Sequence, residues 1–260
     1  MRNFITLVFS FLFSTNLILA SDMTFAQIDG ALISTNDANS IKRLESTVNK
    51  INQQKNIEFV IFTGNNISKP SIDNLEKFIE IANNLKCPYY VTIGNKDINK
   101  QKKWGKSEYT NLLQKKIKTH KKITTTNYIF SKNGVIFIVA DGAKEFITTP
   151  SGYYKPETLT WLDSQLKKYK NKNVIILQHF PIIPPAKKET HYTHKADEYL
   201  ELISKHDNIK AIISGHFGVN SEQEYQDIWH ITTKSLPTYR VIDILDYETE
   251  NPVFWSTIKE

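Results

Sequence analysis

The chain carries a single cysteine, Cys87. One thiol closes no internal disulfide, and with no cysteine near residue 20 a lipid anchor is not indicated. Two phosphate-cradling signatures, G-x-x-x-x-G-K-[ST] and G-x-G-x-x-G, are also missing, which sets aside the nucleotide-binding folds built on them. No G-x-S-x-G occurs, and Ser68, Ser214 and Asp141 form no recognisable triad, so a nucleophile elbow is excluded. Low-complexity tracts, repeats and linkers are absent as well. With 260 residues, 40% hydrophobic and 23% charged, the composition is that of one globular α/β domain.

Long hydrophobic runs are scarce. One follows Arg2, from Phe4 to Ala20, interrupted only by small or polar residues. It is short for a spanning helix, which needs about 20 apolar residues, and it reads as a signal peptide over residues 1–20. The expectation is a secreted or periplasmic protein without a stable membrane anchor, folded over residues 21–260. The formal charge of +6 comes from lysines spread through the chain, as in Lys100 to Lys103 and Lys115 to Lys122. A diffuse excess marks a solvated surface, and no nucleic-acid partner is expected.

What is abundant is a short apolar run followed by a longer helical stretch, the pattern of parallel strands joined by crossover helices. Strands are expected at Thr24 to Ile28, Glu58 to Thr63, Tyr89 to Ile93, Val135 to Ala140, Val174 to Gln178 and Lys210 to Ser214. Ser71 opens one helix as N-cap, with Ile72, Leu75, Phe78, Ala82 and Leu85 on one face, and Pro156 opens another through Leu159, Leu162 and Leu166. From His230 to Ile258 the pattern returns to strands.

Nearly every internal strand ends in a small or polar pair: Asp29-Gly30, Gly64-Asn65, Gly94-Asn95, Asp141-Gly142, Gln178-His179 and Gly215-His216. Any one pair is an ordinary strand ending. Together they point to a shared site beyond the carboxyl ends of the strands, where loops converge without disturbing the core.

The segments FVIFTGNNIS (Phe59 to Ser68), VTIGNKD (Val91 to Asp97), ILQHFP (Ile176 to Pro181) and IISGHFG (Ile212 to Gly218) resemble the calcineurin-like metallophosphoesterases in order and spacing. FAQI at Phe25 to Ile28 is similar to the family's first strand, the stretch from Gly152 to Leu166 to its connecting helix, and His230 to Ile244 to its usual end. The resemblance implies an α/β fold of two packed mixed β-sheets flanked by helices. It also implies two divalent metals held at the strand ends, which activate a water and clamp phosphate oxygens.

The departures from the family's motifs are specific. Gly30 and Leu32 stand where the first Asp and His belong, and Asn65 replaces the bridging Asp. Lys96 takes the position of the catalytic His, and Gly218 that of the last His. Asn95, His179 and His216 remain, all on one of the two metal positions. With no carboxylate among them, the expectation is either no cofactor or one weakly held zinc or manganese ion. Asn65, Asn95 and Lys96 then become a candidate binding site for a phosphate-bearing or other anionic ligand, with Lys96 supplying charge where the fold formerly held metals. Asp29, one position early, faces the opposite side of a strand from the family's Asp. His191 and His194 in HYTH suggest a separate metal site, but without a carboxylate or Cys at ligand spacing they read as exposed side chains. Trp104, Tyr109, Tyr153 and Tyr154 read as core. Three functions follow: a pseudo-phosphoesterase that binds an anion or partner, an active phosphoesterase that uses one metal or recruits Asp29 and Asp37 by a shifted register, and a structural envelope protein.

Overall fold

Strand β1 (Met23–Ile28) sets the logic of the molecule, because its alternate residues Phe25 and Gln27 face a second sheet and Asp29 continues the same row beyond the strand's end. The computed structural model describes residues 22–118 and 123–260; the expected signal peptide, residues 1–20, lies outside the described residues. In chain order the further elements are α1 (Ala38–Gln53), β2 (Ile57–Phe62), α2 (Ile72–Ala82), β3 (Tyr89–Val91), α3 (Lys106–Lys116), β4 (Tyr128–Lys132), β5 (Val135–Val139), β6 (Gly152–Tyr153), α4 (Pro156–Lys168), β7 (Val174–Leu177), β8 (Thr193–His194), α5 (Ala196–Ile203), β9 (Ile209–Ser214), β10 (Ser221–Tyr225), β11 (Ile228–Thr232), β12 (Tyr239–Leu245) and β13 (Val253–Lys259).

Two mixed sheets result, as the resemblance implies. One runs β13-β12-β1-β2-β3 and the other β10-β11-β9-β7-β5-β4, with β6 and β8 pairing separately. The neighbours β1, β2 and β3 are parallel, as are β5, β7, β9 and β11, while β4, β10, β12 and β13 attach antiparallel. An aromatic seam holds the sheets together. Phe59 of β2 stacks on Phe25 at 4.7 Å and meets Phe137 of β5 edge-on at 5.1 Å, while Tyr90 of β3 stacks on Phe130 of β4. On the other face of β2, Phe62 meets Phe78 of α2 at 4.9 Å.

Higher in the seam the filling turns polar. Gln27 donates to the Ser214 carbonyl at 2.7 Å and accepts from Thr233 Oγ1 at 2.6 Å. Arg240 of β12 is fully buried, with its guanidinium held by Glu222, Thr233 and the Thr232 carbonyl, and so ties the first sheet to β10 and β11 of the second.

The helices begin where the sequence places them. Ser71 caps α2 by accepting from Asn74 N at 3.1 Å, and Pro156 occupies the first turn of α4. The structure adds α1, α3 and α5. Of these α1 was readable: Asp37 caps it, and Leu44, Val48 and Ile51 recur on its buried face. Trp104, Tyr109 and Tyr154 are buried, as read from the sequence, whereas Tyr153 is only half-buried. Among the described residues no helix is long and apolar enough to cross a membrane.

Candidate functional site

The ends of β1, β2, β3, β7 and β9 converge, and backbone permissiveness allows them to. Gly64 has a φ of +95°, and a Cβ there would stand 2.6 Å from His179 Nδ1 and 3.0 Å from the Gly94 nitrogen. Only glycine lets the ends of three strands approach so closely. Asn65 and His216 also adopt left-handed backbone, with φ of +51° and +75°. Such strain in non-glycine residues gathers at functional sites.

His179 is fully buried, and its Nδ1 lies 2.6 Å from the Thr63 carbonyl. A carbonyl only accepts, so Nδ1 carries the proton and Nε2 presents a lone pair. His216 Nδ1 approaches that Nε2 at 3.1 Å and donates to it. His216 Nε2 is buried and has no partner within hydrogen-bond geometry, although the Pro150 carbonyl lies near the ring. Burial pushes the His179 pKa down to about 4. For His216, burial first and then the neighbouring His179 and His191 push it down to about 2, against the opposing pull of the Pro150 carbonyl. Both rings are therefore neutral at physiological pH. The second unpartnered buried acceptor here is Asn95 Oδ1.

The carboxylates face inward. Asp29 is 1% exposed and accepts from Thr63 Oγ1 at 3.2 Å, from Ser235 Oγ at 3.1 Å and from the His216 backbone N–H at 3.2 Å. It comes within 3.7 Å of His179 only on the Nδ1 side, behind the ring. Asp97 accepts from the Ile67 N–H at 3.0 Å and the Gly94 N–H at 2.8 Å. Burial pushes both pKa values up to about 7. Asp37 caps α1 and pairs with Arg43, so it takes no part in a shifted ligand set.

Positive charge surrounds the histidine pair. Lys96 donates its backbone N–H to Asn65 Oδ1 at 2.9 Å, while its exposed side chain has no carboxylate partner among the described residues. Its charge reaches both His179 and His191, lowering their pKa values behind the larger effect of burial. Here the structure corrects the reading of His191 as a mere exposed side chain: its ring centroid lies 4.6 Å from that of His216. His194 instead packs on Tyr192. Two histidines one turn of loop apart thus point to different places, and no spacing rule would have told which one joins the site.

A two-metal centre does not fit these residues. It needs carboxylate oxygens to balance and bridge the dications. The oxygens of Asp29 and Asp97 are already taken by interior donors, and Asn65 Oδ1 is taken by the Lys96 N–H. Among the described residues no group of three or more His, Cys, Asp or Glu side chains is arranged to hold a metal ion. Asn95 Oδ1 and His216 Nε2 remain, one amide oxygen and one imidazole nitrogen, with Lys96 and Lys188 as the nearby charges.

Known proteins share this architecture. The chain is 27% identical over 206 residues to a Colwellia psychrerythraea protein named "Probable cyclic nucleotide phosphodiesterase", covering 75% of this chain and 70% of that one. Its fold matches a dimetal phosphatase from Danio rerio with a TM-score of 0.66 at 13% identity, over 89% of this chain and 98% of the other. It also matches GAP50, the anchor in the inner membrane complex of Plasmodium, with a TM-score of 0.59 at 17% identity, over 92% and 90% of the two chains. The sequence pattern of the calcineurin-like phosphoesterases matches residues 16–220. With that match spanning most of the chain and with the two-sheet fold and converging strand ends in place, the protein belongs to the calcineurin-like phosphoesterase family.

Proposed function

We propose that the protein binds a phosphate ester as an anion at the ends of β2, β3, β7 and β9, and that two-metal hydrolysis is not its chemistry. One observation carries the reading: the carboxylates at these strand ends are consumed by interior donors, while Lys96, exposed at the same strand ends, has no carboxylate partner among the described residues. A hydrogen phosphate ester answers both kinds of unsatisfied group. Its oxygens accept from Lys96, and its remaining O–H, present in part at neutral pH because the second pKa is about 6, donates to His216 Nε2 or Asn95 Oδ1.

Titrating inorganic phosphate by calorimetry tests this. A lysine ion pair with phosphate is worth about 1.5–3 kcal/mol, so Lys96→Ala should weaken binding by roughly tenfold or more. Equal binding by wild type and Lys96→Ala removes the basis of the reading.

A second reading has an observation in its favour. Asn95 Oδ1 and His216 Nε2 are two of the buried atoms without a hydrogen-bond partner, and the resemblance to the family puts both residues on one of its metal positions. An active phosphoesterase would then hold one divalent ion there, in line with the name of the Colwellia relative. Hydrolysis of an aryl phosphate with added manganese, lost in His216→Ala, would establish this second reading and overturn the first.

A further inference from the structure

Beside the histidine cluster lies an open, mostly apolar groove of about 560 Å³, lined by Pro184, Pro185, Tyr192 and Phe217 and by the charged Lys188 and Glu189, among others. Its walls continue the site along the backbone. The His191 ring lies 4.6 Å from that of His216 and 5.9 Å from that of Phe217, which lines the groove together with Tyr192, the residue after His191. The walls are also held in place. Thr193 Oγ1 donates to the Pro181 carbonyl at 2.8 Å, Gly152 N to the Tyr192 carbonyl at 3.0 Å, and Lys188 Nζ to the Phe217 carbonyl at 3.3 Å. Tyr192 rests on His194, with ring centroids 4.7 Å apart, yet remains 46% exposed.

We infer that this groove seats the organic half of the ligand, so that the ligand is a phosphate ester of a flat apolar group, aromatic by preference. The inference rests on the anion-binding reading above and adds to it the class of ester. The volume is that of a small-molecule site, and apolar walls with a few polar groups at one end are how such sites orient a ligand. Continuity with a cationic cluster selects a molecule with an anionic head and an apolar body. Tyr192 contributes an aromatic face at small cost in ordering, since its neighbours already hold it.

The test is a calorimetric comparison of inorganic phosphate with phenyl phosphate, without added metal, on the full chain and its Tyr192→Ala and Lys96→Ala variants, with melting temperatures confirming that each is folded. Phenyl phosphate should bind about tenfold tighter than inorganic phosphate, a difference of about 1.4 kcal/mol. Tyr192→Ala should weaken phenyl phosphate at least fivefold more than it weakens phosphate, whereas Lys96→Ala should weaken both. Binding of phosphate with no preference for the phenyl ester, or equal losses for both ligands in Tyr192→Ala, overturns this inference and leaves the anion site standing. Failure of both ligands to bind overturns the anion-site reading and this inference with it.

Discussion

Gly215 and Asp29 make the sharpest test of how the site is built. A Cβ added at Gly215 would stand 1.6 Å from Asp29 Oδ1 and 2.2 Å from its Cγ, far inside any allowed contact. In Gly215→Ala the carboxylate must therefore move, although it is buried and bonded to Thr63, Ser235 and the His216 N–H. Overpacking a filled site costs about 1–3 kcal/mol. Unpairing buried donors adds about 1–3 kcal/mol, which brings the expected loss to roughly 2–6 kcal/mol. Asp29→Ala alone should cost about 1–3 kcal/mol, since it unpairs the same donors but relieves a buried acid. In the double variant the clash has no partner. The double should fall close to Asp29→Ala, with a coupling energy about as large as the whole Gly215→Ala loss favouring it over the sum of the singles. The measurement is urea unfolding followed by circular dichroism, at constant m-value. Additivity within about 0.5 kcal/mol would refute the placement of Asp29 beneath the β9 turn.

Two further outcomes test the fold. Phe59 touches Phe25 and Tyr90 within its own sheet and Phe130 and Phe137 across the seam, so Phe59→Ala should cost about 3–5 kcal/mol in the same unfolding assay, and a loss below about 1 kcal/mol would argue against the packed sheets. His230 is 6% exposed, and burial pushes its pKa down to about 4 from 6.5. Because the unfolded chain takes up that proton first, the His230 contribution is fully present above pH 6.5 and is lost as pH falls towards 4, by at most about 3 kcal/mol. Unfolding of wild type and His230→Phe at pH 7 and pH 4.5 should therefore show wild type losing more stability on acidification; equal losses would contradict a buried neutral ring.

Much of the architecture was legible because it follows from short-range physics. Short continuous apolar runs mark strands such as Glu58 to Thr63, Ser71 and Pro156 start helices through local capping and a preset φ, and Gly-Asn or Gly-His pairs mark where strands stop. The same locality explains what was missed. The helix α1 lies in a polar stretch, with a cap at Asp37 and three well-spaced apolar residues that a closer reading would have caught. The place of His191 had no such signal, because it depends on how the loop from Pro181 to Thr193 folds over β9.

By itself, then, the sequence determined the family, most of the central strands, the starts of α2 and α4, and the presence of Asn65, Lys96 and Gly218 beside the strand ends. Only the tertiary structure decided that Asp29 and Asp97 spend their oxygens on interior N–H and hydroxyl groups, that His179 and His216 form a directed chain ending in an unpartnered nitrogen, and that His191 joins them beside an apolar groove. The physical reason is range: periodicity and capping act within a few residues. The partners of a buried carboxylate or imidazole come from strands far apart in sequence, as Asp29 and His216 do, and are chosen by packing.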